Sequence, residues 1–163
     1  MADNLSSQHE QVLAEENLIR IYKELINILD SHNMTATFGF VSALTMTSEY
    51  FLNNWGDELK NSPGHSSWLN HFFKDVNNNQ LSGWFCPELL EIVSRASMKH
   101  EICSHGFTHL AWKLATPESL EIETRGILDW YKKNNLKPST FIFPRNQVGS
   151  REFLKKINVK AYR

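Results

Sequence analysis

Residues 100–110 read HEICSHGFTHL, and this stretch decides more about the fold than any other part of the chain. Residues 101–104 are short and apolar-centred, and read as a strand buried in a sheet. Directly after it, His105 and His109 stand four residues apart. Positions i and i+4 of a helical turn share a face, so the two imidazoles can point the same way. One backbone segment then offers two nitrogen ligands to a metal ion. Ordinary loop histidines can share that spacing, and position separates the two readings. Side chains emerging past the C-terminal end of a strand are where β/α barrels build their sites.

The pattern around this stretch alternates helices and strands. Residues 15–31 predict an amphipathic helix, with Leu18, Ile21, Tyr22, Leu25, Ile28 and Leu29 at three- and four-residue steps. Residues 35–42 (TATFGFVS) predict a strand apolar enough to be buried on both faces, as in a parallel sheet. A short helix is expected over 47–55. Residues 56–83 turn to Asn, Ser, Gly and His with Trp68, Phe72 and Phe73 interspersed, and read as an ordered excursion or a lid-like loop. Proline at the first turn opens helices over 87–96 and 117–134. Strands are expected at 139–143 and 159–162, with a helix over 149–157 between them. No Asn-Gly hairpin signal interrupts the series, so the fold class is α/β, built from parallel βα repeats. Residues 1–14 read as a flexible polar lead, and 15–163 as one domain.

Composition narrows the functional classes. With 41% apolar and 21% charged residues, the chain resembles an ordinary globular protein. A formal net charge of −1 and the lack of a Lys/Arg run give no footprint for nucleic acid or an anionic membrane. No stretch approaches the length of a membrane span. The N-terminus MADNLSSQHE lacks a signal-peptide core, and Cys86 and Cys103 have no CxxC spacing, so a reducing, cytoplasmic location is expected.

In the metal reading, His105 and His109 are two ligands, and a hydrolytic centre needs at least one more from the protein. A carboxylate is the natural third ligand and another the natural base. Asp30, Asp57, Asp75 and Asp129 all fall away from strand ends, which leaves a gap. A second cluster, Phe143-Pro144-Arg145-Asn146-Gln147, also follows a strand. Arg145 can hold a carboxylate or a developing oxyanion in its planar donor fork, or stand as a solvated loop residue. Asn146 can hydrogen-bond a sugar hydroxyl. Trp84 and Trp112 can form a platform for sugar rings or join the core; Phe85 reads as core. Cys103 reads as an inert core thiol, and His100, at the far end of its strand, as structural.

The order of these segments resembles the polysaccharide deacetylase family, the metal-dependent sugar N-deacetylases and their esterase relatives. Thr35-Ala36-Thr37-Phe38 resembles that family's "kATFF" strand, and Trp84-Phe85-Cys86-Pro87-Glu88-Leu89 the W-[YF]-x-P-[ED]-L segment of its surface-polysaccharide branch. HEICSHGFTH is similar to HEIxSHTxxH, and FIFPRNQV followed by VKAYR to "vFPRNQ…kAYR". The resemblance covers roughly residues 18–163. It implies a distorted barrel of about seven βα units and a divalent metal, usually zinc, held by Asp-His-His. His105 and His109 would be the histidine ligands, and Arg145 would lie where the family keeps an arginine that orients the catalytic aspartate.

The chain departs from the family pattern in three places. The family's first strand carries paired acids, a base and a metal ligand, and here only Asp3 precedes the first helix. Gly106 stands where a Ser or Thr hydroxyl usually braces the loop. The sequence stops at Arg163, before the strands that normally bring another histidine, so an incomplete domain with two exposed strand edges prone to self-association is expected. Three readings follow: a zinc-dependent carbohydrate deacetylase, a catalytically silent sugar- or metal-binding remnant, and a fragment completed by a partner chain.

Overall fold

Four short strands lie side by side, all parallel, in the order β1-β2-β3-β4. The computed structural model that shows them describes residues 15–163; the lead at 1–14 and Asp3 lie outside the described residues. Strand order follows chain order, as successive βα crossovers of one hand produce.

Helix α1 (Glu15–Ser31) opens the described fold. Its inner stripe buries Ile26 and packs Leu18, Tyr22 and Leu29 against the core, whereas Ile21, Leu25 and Ile28 of the same apolar pattern face outward. Asp30 ends the helix by accepting hydrogen bonds from the backbone N–H groups of Ser97 and Met98, both at 2.9 Å. Strand β1 (Thr37–Phe40) follows, with Phe38 and Phe40 buried and Gly39 exposed between them. It pairs along its length with β2 (Glu101–Ser104), Thr37 opposite Glu101 and Phe40 opposite Ser104.

In the crossover between β1 and β2 the short helix expected over 47–55 is present, and residues 56–83 form an ordered, largely helical excursion rather than a lid-like loop. Helix α2 (Ser48–Phe51) runs through a π-helical turn at Leu52–Gly56 into α3 (Asp57–Asn61). Helices α4 (Pro63–Trp68) and α5 (Asn70–Asn77) come next. Phe51 and Trp55 of the expected helix and Leu59 just beyond it recur every four residues and all lie inside. Helix α6 (Glu88–Ser94) then leads to β2.

Helix α7 (Pro117–Lys133) has its start set twice, by Pro117 in the first turn and by the Thr116 hydroxyl accepting from Ser119 N–H. Strand β3 (Thr140–Phe141), α8 (Leu154–Ile157) and β4 (Ala161–Tyr162) complete the series. Glu101 fastens three strands at one end of the sheet. Its carboxylate accepts from Thr37 Oγ1 at 2.7 Å, Ser139 Oγ at 2.7 Å and Thr140 Oγ1 at 2.6 Å. Among the described residues no helix is long and apolar enough to cross a membrane.

Candidate metal centre

The site grows from the opposite, C-terminal end of β2. The parallel ladder continues one step beyond the strand, with His105 N–H donating to Phe40 C=O and Ile142 N–H donating to Ser104 C=O at 3.0 Å. His105 therefore starts from a fixed backbone. Its Nδ1 lies 3.0 Å from the carbonyl oxygen of Ile142, beside β3. A carbonyl only accepts, so the proton sits on Nδ1 and the Nε2 lone pair is left free.

The chain then turns sharply at Gly106, whose φ is +82°, and a Cβ there would fall 2.8 Å from Pro144 Cγ. Glycine is required by that backbone and that approach, so its place in the motif has a geometric reason. Position 106 carries no hydroxyl, and two residues later Thr108 Oγ1 donates to Glu123 at 2.6 Å. His109 also takes a left-handed backbone, φ 65°, which carries its ring back over His105.

The two Nε2 atoms end 3.1 Å apart. Two imidazoles on one tetrahedral zinc, with bonds of about 2.0–2.1 Å, would hold their nitrogens about 3.3 Å apart. The separation fits a shared ion and equally allows a hydrogen bond between the rings. His109 Nδ1 is buried without a hydrogen-bond partner. Burial pushes the His109 imidazole down to about 4, with the neighbouring His105 ring and Arg145 acting in the same direction. Burial likewise lowers His105, against the opposing bond to Ile142. Both rings are therefore neutral at neutral pH, the state a metal ligand requires.

The histidine loop is held from two sides. On one, Ser42 N–H and Ala43 N–H donate to the carbonyls of Gly106 and Phe107, each at 3.0 Å. On the other, the Glu123 carboxylate of α7 accepts from Phe107 N–H at 2.8 Å and Thr108 N–H at 3.0 Å. His65 Nε2 lies 3.3 Å from the same carboxylate, and both side chains are fully buried.

Arg145 follows β3 in a turn with left-handed backbone at Arg145 (φ 57°) and Asn146 (φ 55°). Its guanidinium lies over the Trp68 ring, 4.7 Å from the centroid. Trp68 in turn has its ring 6.4 Å from that of His109 and donates through Nε1 to Thr108 C=O at 2.9 Å. The sequence reading did not single out Trp68. Of the expected aromatic pair, Trp84 is half-buried, bonded through Nε1 to Asp75 at 2.9 Å, and lines an apolar cavity together with Trp68 and Thr108. Trp112 is 0% exposed against Phe141 and Phe143, so it is a core residue with no face for a sugar. Asn146 borders a separate depression with Lys113, Leu114, Gln147 and Val148.

Among the described residues no group of three His, Cys, Asp or Glu side chains is placed to hold a metal. Asp75 and Asp129 accept from tryptophan and tyrosine side chains, Asp30 caps backbone, and Asp57 is exposed in α3. The two imidazoles fit as two donors of a metal centre, and the third donor is not among them. Comparison of the chain with protein-family models, curated proteins and solved structures finds no match in any of the three.

Proposed function

We propose that the chain is a polysaccharide deacetylase-like domain, part of a distorted (β/α)7-type barrel, whose histidine pair forms the protein's nitrogen half of a zinc centre acting on acetylated carbohydrate. One observation carries this reading. The Nε2 atoms of His105 and His109 converge to 3.1 Å while Ile142 holds the His105 proton on the far nitrogen. The ordered sequence motifs around them support it.

When bound, a divalent ion supplies Lewis acidity toward an acetyl carbonyl and lowers the pKa of water from 15.7 to about 7. The chain's own residues supply placement. His105 turns its Nε2 lone pair toward the Nε2 of His109, 3.1 Å away, and burial keeps both rings neutral at neutral pH. Arg145, fixed over Trp68, presents a cation beside the pair, suited to an acyl oxygen or an acid that completes the centre. Trp68 and Arg145 border an open cleft of about 400 Å³ with Leu110 and Thr116, where the apolar face of a sugar can rest. The cavity that Trp68 shares with Trp84, about 30 Å³, is too small for one. The third ligand and the general base come from outside the described residues.

The test is acetate release from N-acetylated sugar oligomers by the zinc-loaded chain. Release that stops with chelator and with His105→Ala supports the deacetylase. The lack of a third acidic ligand among the described residues favours a second reading, a silent binder of metal or carbohydrate. In that case zinc or sugar raises the melting temperature and no acetate forms.

A further inference from the structure

Glu123 occupies a place that a carboxylate seldom takes. It is fully buried on the inner face of α7, and among the described residues no Lys or Arg side chain lies within ion-pair distance. Burying a carboxylate without compensation is strongly unfavourable, so its hydrogen bonds must do specific work. The acceptors are saturated from one direction. Oε2 takes Phe107 N–H, and Oε1 takes Thr108 N–H, Thr108 Oγ1–H and, more distantly, His65 Nε2. Ser62 Oγ lies 3.0 Å from the other nitrogen of His65, so the chain of contacts runs from the start of α4 through α7 into the loop.

That loop is the segment between the two candidate ligands. Phe107 and Thr108 are the residues that separate Gly106 from His109, and their N–H groups belong to no helix or strand ladder. Without an acceptor they would be buried donors in a turn whose next residue is already forced into left-handed backbone. Thr108 also carries, through its carbonyl, the hydrogen bond that seats Trp68 under Arg145. One carboxylate thus touches the backbone that sets the ring of His109 and the platform beside it.

We propose that Glu123, backed by His65, is the positioning residue of the histidine pair, fixing the approach of His109 to His105 from behind the loop without touching either ring. The inference rests on the metal-centre reading for its zinc arm and on the geometry alone for its other arm. Glu123→Gln keeps the size of the side chain but turns an NH2 group toward a backbone N–H, so donor meets donor. Glu123→Asp restores the charge one methylene too short.

The experiment compares wild type, E123Q, E123D and T108V in two measurements, with circular dichroism and melting curves confirming the fold. Histidine-ring NMR of the metal-free chain is expected to show the His105 and His109 signals moved in E123Q, partly restored in E123D, and those of His32 and His100 unchanged. Zinc titration is expected to show affinity for E123Q reduced about 10–100-fold, the range for groups that orient metal ligands. If E123Q does not fold, T108V, which removes only the hydroxyl donor, is expected to move the same signals and weaken zinc by a smaller factor. A folded E123Q, or a folded T108V in its place, with wild-type ring signals and wild-type zinc affinity overturns the proposal. If wild type takes up no zinc, the metal reading fails and the NMR arm alone decides the role of Glu123.

Discussion

Phe107 lies against the bare backbone of Gly126: a Cβ at Gly126 would sit 2.3 Å from Phe107 Cδ1, closer than two carbons can approach. The contact lets α7 lie directly on the histidine loop, one turn beyond Glu123. Gly126→Ala gains about 1 kcal/mol of helix propensity. Forcing the ring aside costs about 1–3 kcal/mol, so the net change is destabilising. Gly56 provides the contrast, since a Cβ there meets nothing closer than Leu52 Cδ2 at 3.7 Å. Urea unfolding should show a lowered midpoint for G126A and none for G56A.

The histidine pair makes stability depend on pH in a defined direction. An unfolded imidazole titrates near 6.5, about the ordinary value. In the fold His109 titrates at about 4 and His105 also below its ordinary value. Between those limits the unfolded chain binds more protons, so stability is full above about pH 6.5 and is lost as the pH falls toward 4. Solvent screening of the partly exposed rings keeps the loss to about 1–2 kcal/mol. His109→Asn suits the left-handed backbone and removes the titrating ring. Its melting temperature should change less than that of wild type between pH 7.5 and 5.0.

At Arg145 two effects of similar size oppose each other. The left-handed backbone costs a non-glycine residue about 1–2 kcal/mol. The guanidinium on Trp68 returns about 0.5–1 kcal/mol. Arg145→Ala keeps the strain and loses the stack, whereas Arg145→Gly loses both. The glycine variant should therefore unfold at higher denaturant than the alanine variant, and both should lose substrate binding if Arg145 serves the site.

Glu101 ties β1, β2 and β3 through three hydroxyl donors, and those bonds hold its carboxyl below the usual range. Its contribution is present above the unfolded carboxyl value of about 4.3 and disappears as the pH falls through the lower folded value. Glu101→Gln should cost about 1–2 kcal/mol at pH 7. The gap between variant and wild type should close in strongly acidic buffer, as followed by denaturant midpoints.

Much of the scaffold was legible in local pattern. The residue run for α1 matches the structure because its periodic apolar positions and the following His32-Asn33 break are all local signals. β1 and β2 were legible for the same reason. The helices of the 56–83 excursion were not legible because Asn and Ser dominate its surface and its buried apolar positions, such as Leu59 and Phe72, are widely spaced. His105 and His109 were found by spacing, but their convergence needs the Ile142 carbonyl and two left-handed residues, which are tertiary facts. Glu123 left a faint trace. It falls on the same helical face as Leu120, Ile127 and Trp130, where a lone acid among buried apolar residues asks for a partner. Trp68 had no such trace, since its neighbours come from the loops after β2 and β3.

The seat of Trp68 also makes the molecule its own optical gauge. The indole is pinned at one edge to Thr108, carries a guanidinium on one face and borders an imidazole that changes charge with acidity. Anything that captures the two rings, or pulls the arginine away, alters the emission of that chromophore. The difference in emission between wild type and Trp68→Phe separates this indole from the other four of the chain and follows occupancy of the site without an attached dye.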